Sequence, residues 1–451
     1  MAPNEVMTFI NNVSSKNSKI NYDIGKSASL GYSIRGELST YGHLINDIHL
    51  KGGALKGGPV IFGTGQAYFG VLFDYIYKTR FSCPIAMQSY CDYNGIDIFK
   101  KQLNWIQERY IRNMKILFIG LGGVGQRHLR NSITLLGEID VHAFRTRGFK
   151  SEVTNTLSKN DNENIESKYS IVTHSNIADA LSANPVAVII ANPSSMHFDV
   201  LKACLEKNIP CFVEKPMVTS SEGIDELLKL KNFGVKHSMV GFQLRYSPVV
   251  QKLKEIIDSG IIGKVLSFRA EVCEYMPGFH PYEDYKDLYC SKRELGGGVV
   301  MTQIHELDML VHLFGMPESV YALGGHLSEL EIDVEDSVDI LMRKKEMSLF
   351  LRMDYLQKPR RRSGVVYGEK GWVEYDLVEL SLKTSNGDNY SWKDFDRNMM
   401  FVDELANFYD CIKNSKETDI PLTEGLKSVH LAESILKSLH MKKEIKVVGH
   451  R

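Results

Sequence analysis

The chain has 451 residues, of which 43% are apolar and 24% charged, and its formal net charge is -1. This is the composition of a folded globular protein, with room for two to four domains at roughly 100–200 residues each. A balance this close to neutral provides no field to gather nucleic acid, and no run approaches the ~18 apolar residues of a membrane span.

The opening, "MAPNEVMTFINNVSSKNSK", lacks the apolar stretch of a secretory signal. The seven cysteines are scattered, odd in number and without a C-x-x-C pair. They read as reduced thiols of a cytoplasmic protein, with no disulfide framework and no metal site. Residues 1–58 are rich in Ser, Asn and Gly and weakly periodic. "GGPVIFGTGQAYFGVLFDYIYK" then reads as strand, glycine turn (Gly63, Gly65, Gly70) and helix, and "PIAMQSYCD" as a further strand ending at Asp92. The spacing G-x-G-x4-G departs from the nucleotide-binding pattern. Residues 1–113 are therefore read as a small appended α/β module, a partial βαβ, whose glycines serve packing.

"MKILFI" (114–119) is an apolar run suited to a buried parallel strand, and "GLGGVG" (120–125) follows at once. This G-x-G-x-x-G opens a helix, "GQRHLRNSITLL", that leads to a second strand, "IDVHAFR". Gly120 permits the tight turn, Gly122 lets the backbone approach a diphosphate, and Gly125 lets helix and strand pack closely. Gly123 and Val124 complete the turn, and the helix start offers free N–H groups to phosphate. A dinucleotide is the expected ligand. The second strand ends in Arg145, Thr146 and Arg147 rather than the acidic residue that reads the ribose of NAD. A guanidinium there can pair with a 2′-phosphate, which favours NADP. It can equally stack on adenine, which leaves NAD open.

Strands at 169–174, 186–192, 209–214 and 237–242, separated by helices at 196–207 and 221–232, continue the alternation and predict a Rossmann doubly wound parallel sheet over 114–242. From 243 to 451 the pattern becomes α+β. Strand-like runs at "KVLSFRAEV", "SVYALGGHL", "SVDILMR", "MSLFLRMDYL", "RSGVVYG" and "WVEYDLVELSLKT" predict an open, largely antiparallel sheet. Helices are expected at 294–314, 399–414 and 423–440, the last packing back on the Rossmann domain. "KPRRRSG" (358–364) reads as a solvated loop.

"EKP" (214–216) closes a predicted strand, where the ligand crevice of an open α/β sheet lies. A lysine there can bond the reacting oxygen of a substrate. Past its glycines, "ELGGGVVMTQIHELDMLVHLFG" (294–315) reads as one helix with Thr302, His305, Asp308 and Met309 on one face. His305 is the natural proton acceptor.

In this order, "ILFIGLGGVGQRHLRN", "ANPSSMHFDV", "VEKPM", "SGIIGKVLSFRAE" and the "GGG…H..D" helix resemble the glucose–fructose oxidoreductase / inositol dehydrogenase family (Gfo/Idh/MocA) over 114–451. "GFHPYEDY" and "TQIHELD" are similar to a branch met among glycan-pathway enzymes. The resemblance implies an NAD(P)-dependent dehydrogenase acting on a sugar, often an amino or nucleotide-linked one. It implies that Lys215 holds the hydroxyl that becomes a carbonyl, that His305 exchanges its proton, and that Asn192, Pro193, His197, Glu214 and Lys215 border the cofactor. It further implies a homo-oligomer, dimer or tetramer, joined through the C-terminal sheet. Many members carry an Asp one turn before the histidine, where this chain has Thr302. Glu306, Asp308 or Glu283 could replace it, or His305 could work alone.

The segment 279–295 mixes aromatics, both charge signs and a histidine. Tyrosines stack on sugar faces and charged groups bond hydroxyls or phosphates. His280, Tyr282, Tyr285, Lys292 and Arg293 are the expected substrate contacts, with Thr302, Arg245 and Tyr246, and Arg361 or Arg362 only if their loop folds over the crevice. Two other functions stay open: a dinucleotide-binding sensor or regulator without chemistry, and a bifunctional chain with a second activity in 1–113.

Overall fold

The structure is a computed structural model that describes residues 2–447 other than 14, 16, 80, 89–94, 111–113, 147, 149, 231–232 and 234–236. The chain divides into two compact units, Met1–Asn113 and Met114–Arg451, each with its own apolar core.

The first unit contains α1 (Pro3–Val13), β1 (Ile20–Asp23), α2 (Ile24–Leu30), α3 (Ile34–Tyr41), β2 (Ile45–Leu50), β3 (Gly52–Gly53), β4 (Pro59–Val60), α4 (Phe69–Thr79), β5 (Ile85–Met87) and α5 (Gly95–Tyr110). Strands β1, β2 and β5 form a parallel sheet in that order. Weak periodicity hid the short α2 and α3, because capping starts them rather than an apolar stripe. The Asp23 and Ser33 side chains accept from the amides of Lys26 and Gly36. The strand before the 63–65 glycines, β4, does not join the parallel sheet. It pairs antiparallel with β3, so this stretch is not the opening of a βαβ unit. Gly63 lies against the Trp105 ring and Gly65 against the Gly53 backbone, a packing arrangement. The expected strand end at Asp92 falls outside the described residues.

The second unit begins with β6 (Met114–Ile119), α6 (Gly123–Leu136), β7 (Ile139–Phe144), β8 (Ser151–Val153), β9 (Lys159–Asn164), α7 (Ile165–Lys168), β10 (Val172–His174), α8 (Ile177–Ser182), β11 (Ala187–Ile190), α9 (His197–Glu206), β12 (Cys211–Glu214), α10 (Ser221–Leu228) and β13 (Met239–Gly241). Six of these strands form one parallel sheet in the order β10-β7-β6-β11-β12-β13. This is a Rossmann sheet, and its order reverses between β6 and β11. The crevice at that reversal, outside the strand carboxyl ends, is where such sheets bind ligands.

There follow α11 (Pro248–Asp258), β14 (Val265–Cys273), α12 (Val299–Thr302), α13 (His305–Phe314), β15 (Ser319–Gly325), β16 (Ser337–Lys344), β17 (Met347–Asp354), β18 (Arg361–Gly368), β19 (Gly371–Asp376), β20 (Ser381–Thr384), β21 (Asn389–Ser391), α14 (Asn398–Asn414), α15 (Leu422–Met441) and β22 (Ile445–Lys446). The sheet order is β21-β20-β19-β18-β14-β17-β16-β15-β22. Every pair is antiparallel except β14 with β17. One face is apolar and covered: Phe268, Ala270, Val320, Ala322, Val338, Ile340, Leu349 and Leu351 are buried. Helix α15 spans both sheets. The Ser438 hydroxyl accepts from the Ala322 amide at 3.0 Å, and Gly425 fits against Val240 and Met217. Helix α14 lies on α6, with Tyr409 and Ser132 hydroxyls 2.7 Å apart. Among the described residues no helix is long and apolar enough to cross a membrane.

Candidate active site

The glycine turn has the shape its spacing predicts. Gly120 has φ +88°, and a Cβ there would meet the Ala191 carbonyl and the Asn192 amide at 2.8 Å. A Cβ at Gly125 would stand 2.3 Å from the Gly120 oxygen, so helix and strand meet backbone to backbone. At Gly122, by contrast, a Cβ would find nothing within 4 Å among the described residues. The turn is therefore tight below and open above, at the N-cap of α6, which is the cradle a diphosphate requires. Across it, the Asn192 Oδ1 atom is buried without a hydrogen-bond partner. These features fit a dinucleotide.

Lys215 follows β12, and its ammonium donates to the Thr302 carbonyl at 2.8 Å. That bond exists because the expected single helix is broken. Helix α12 ends at Thr302, and the Glu306 amide bonds Gln303 instead. The Thr302 carbonyl is thus released from the helical ladder and turns to the lysine. Two N–H bonds of the ammonium remain for a ligand. Burial lowers the Lys215 pKa, only partly countered by Glu214.

His305 is the first residue of α13 and is buried, with the Phe242 ring set edgewise at 5.9 Å. Its Nδ1 has no hydrogen-bond partner. Burial, then the cations Lys215 and Arg362, press its pKa well below the ordinary histidine value. A base with a lowered pKa keeps its neutral form as the pH falls. The acidic limb of kcat/KM for alcohol oxidation is therefore expected below about pH 6.5, the ordinary histidine value, and His305→Asn should abolish it. A pH–rate profile with its limb at or above neutrality would contradict the assignment.

None of the three acids considered for His305 serves it. Asp308 is buried in a two-pronged pair with Arg245, at 2.9 and 2.7 Å. Glu306 pairs with Arg362 at 2.5 Å. Glu283 stands 3.8 Å from His280. Arg245 is consequently no substrate contact; it also bonds Glu424 at 3.1 Å and is only 9% exposed. Tyr246 donates to Asp419 at 3.1 Å, pinning the turn before α11. Both face into the packing between elements, which a local sequence pattern cannot reveal.

Other expected contacts are redistributed. His197 is buried with its ring nitrogens 2.8 Å from the Pro216 carbonyl and 2.9 Å from the Asn192 carbonyl. It staples two crevice loops together rather than touching a ligand. Glu214 turns beneath the sheet to His128, at 2.7 Å, and accepts from the Lys215 amide at 3.2 Å. Glu404 completes that cluster, the three ligand atoms lying within 4.8 Å of one another. Both Glu404 oxygens lack partners, and burial, then Glu214, raise its pKa well above the carboxylate range. Tyr282 stands over the glycine turn, its hydroxyl 3.0 Å from where a Gly123 Cβ would be. His280 stacks on it at 5.4 Å. Tyr285 accepts from the Glu331 amide at 3.3 Å, Lys292 pairs with Asp287 at 3.4 Å, and exposed Arg293 bonds the Asp333 carbonyl at 3.0 Å. These three therefore brace the 285–293 segment.

The structure adds residues that sequence reasoning missed or discounted. Gln303 Oε1 is buried without a hydrogen-bond partner, and the Tyr355 and Thr302 hydroxyls are buried close to it. Tyr355 and Tyr289 lie beside Thr302. Arg362 is not in a solvated loop but is the second residue of β18, a half-buried cation near Lys215 and His305, whereas Arg361 remains exposed beside Glu271. The run "RRRSGVVYG" holds a signal for this, since its arginines run directly into the strand residues that follow.

A phosphate cradle at the reversal of a Rossmann sheet, with an ammonium and a neutral imidazole across the crevice, defines a nicotinamide-dependent oxidoreductase. Residues 114–242 match the oxidoreductase family with an NAD-binding Rossmann fold, and residues 250–374 match the GFO/IDH/MocA C-terminal domain. The chain belongs to the Gfo/Idh/MocA family. Among relatives, myo-inositol 2-dehydrogenase of Thermotoga maritima is 25% identical over 355 residues, 74% of this chain and 98% of its own. The 2,7-anhydro-N-acetylneuraminate hydratase of Escherichia coli is 30% identical over 196 residues, 40% of this chain and 51% of its own. The fold is shared with the WlbA dehydrogenase of Bordetella pertussis, solved with NADH and UDP-GlcNAcA (TM-score 0.62, 22% identity, 75% of this chain and 99% of that one). It is shared equally with a levoglucosan dehydrogenase solved with NADH (TM-score 0.63, 16% identity, 75% of this chain and 100% of that one).

Proposed function

We propose that the chain moves a hydride between a nicotinamide dinucleotide and a hydroxyl or keto carbon of a sugar, free or nucleotide-linked, as a step of glycan biosynthesis in the cytoplasm. The observation that carries this reading is the group of buried polar atoms around Lys215: Gln303 Oε1 and His305 Nδ1, which have no hydrogen-bond partner, and the adjacent hydroxyls of Thr302 and Tyr355. Such a set of donors and acceptors suits a polyhydroxylated substrate. The myo-inositol 2-dehydrogenase among the relatives supports a polyol or sugar substrate, and the similar folds of a levoglucosan dehydrogenase and of a WlbA dehydrogenase solved with UDP-GlcNAcA agree with it.

When bound, the nicotinamide supplies the hydride acceptor or donor. The residues of the chain supply the rest. The glycine turn and the α6 N-terminus hold the diphosphate. The free N–H bonds of Lys215 orient the reacting oxygen and stabilise negative charge on it. His305, neutral at physiological pH, accepts the hydroxyl proton during oxidation and returns it during reduction. The test is a panel of inositols, anhydrosugars and uridine-linked sugars with NAD and NADP, followed by nicotinamide absorbance. Turnover on one class supports the proposal. One observation favours a second reading: among the described residues no carboxylate partners His305. Cofactor binding with no turnover on the whole panel would favour a non-catalytic sensor.

We further propose self-association through the open face of the nine-stranded sheet. Tyr321, Leu323, Leu341, Tyr367 and Trp372 are all exposed there, Tyr321 opposite Leu341 and Tyr367 opposite Trp372. A patch of this kind marks an interaction surface. Leu341→Asp is expected to shift the protein from dimer or tetramer to monomer in light scattering. A monomeric parent chain would contradict the proposal.

A further inference from the structure

In a doubly wound sheet the adenosine ribose comes to the end of the second strand, where an acidic residue marks NAD. Here β7 ends at Phe144, and Arg145 and Thr146 follow. The chain then leaves the sheet for the β8–β9 hairpin and α7 before it returns as β10. That excursion brings a carboxylate back to the same place. Glu166, in the first turn of α7, ion-pairs with Arg145, and its second oxygen takes Lys150 at 2.9 Å. The Arg145 side chain is only 9% exposed.

The carboxylate is held there by construction. The Asn164 side chain accepts from the Glu166 amide at 2.9 Å and starts the helix. The Ile165 amide donates to the Lys150 carbonyl at 3.0 Å. Lys168 pairs with Glu152 at 3.0 Å. Gln126 of α6 ties the hairpin to the glycine turn itself, accepting from the Val153 amide at 2.8 Å and donating to the carbonyls of Ser151 and Leu121 at 3.1 and 3.2 Å. The excursion is thus braced on the element that holds the diphosphate.

We propose that Glu166 supplies, from outside the second strand, the acidic group that selects NAD(H), and that its pair with Arg145 excludes NADP(H). This rests on the reading that the chain binds a nicotinamide dinucleotide. A 2′-phosphate would have to take Arg145 from Glu166 and then lie beside the displaced carboxylate, like charge against like charge. A 2′-hydroxyl offers the carboxylate a donor instead. The expectation of NADP drawn from Arg145 and Thr146 is thereby reversed, because the deciding residue lies 21 positions further on.

The experiment is titration of the full chain with NADH and with NADPH, read by nicotinamide fluorescence, for the parent and Glu166→Gln. The parent is expected to bind NADH at least about tenfold more tightly than NADPH. The variant, with the Glu166 charge removed, should bind NADPH more tightly and bring the two dissociation constants within about threefold of each other. Equal affinities in the parent, or an unchanged ratio in a variant that folds, overturn the inference but leave the dinucleotide reading standing. Binding of neither nucleotide overturns both. Should the variant fail to fold, the ratio in the parent still decides.

Discussion

Lys215→Ala is expected to lower kcat by at least about a thousandfold while moving the dissociation constant of NADH by no more than about threefold. The two effects separate because the structure separates their causes. On the proposed reading the diphosphate is held by backbone at 120–125, which the substitution does not touch. The ammonium stands on the far side of the crevice, one N–H on the Thr302 carbonyl and two unassigned. On the same reading its loss removes the group that stabilises charge on the reacting oxygen, which is transition-state rather than ground-state binding. His305 has no carboxylate to orient it among the described residues, so the chemistry leans more heavily on the lysine. Stopped-flow turnover together with NADH titration measures both quantities. Near-normal turnover in the variant would remove Lys215 from the mechanism.

The second large effect concerns stability. Arg245→Ala is expected to destabilise the Met114–Arg451 unit by about 3–5 kcal/mol, the cost of leaving the buried Asp308 carboxylate without its counter-charge. Asp308 is 1% exposed and its only cationic partner among the described residues is Arg245, itself 9% exposed. The pair joins α13, which carries His305, to the turn at 243–246, and Glu424 extends it to α15. Replacing both residues with apolar ones of similar size should recover most of the loss, since pairing in the interior offsets desolvation only narrowly. Urea unfolding of parent, single and double variants reads this. A single variant within about 0.5 kcal/mol of the parent would show that the pair is not isolated from water.

Much of this architecture was legible in the residues. "MKILFIGLGGVG" carries its own geometry, because an apolar strand followed by glycines at fixed spacing has few ways to fold, and the structure shows the tight turn and open cradle that follow. The chain order of strands and helices gave the doubly wound sheet, since parallel neighbours need crossovers. What local pattern could not supply was the destination of each polar side chain. Arg245, Tyr246, Tyr285 and Arg293 looked like ligand contacts by type, yet each finds a partner on an element distant in sequence. The break between Thr302 and His305 was hidden for a related reason. The apolar spacing through "VVMTQIHELDML" suits a continuous helix, and only the lysine arriving from 87 residues away shows why the carbonyl is released. The short helices of the N-terminal unit escaped because caps define them, and caps resemble loop residues.

The most direct measurement is a crystal structure of the full chain grown with NADH. The diphosphate should lie over Gly122 at the start of α6, with the nicotinamide ring against Lys215 and the adenosine ribose at Glu166. A nucleotide bound elsewhere, or Tyr282 and its neighbours closed over the glycine turn with saturating NADH present, would contradict the assignment of this crevice as a redox site.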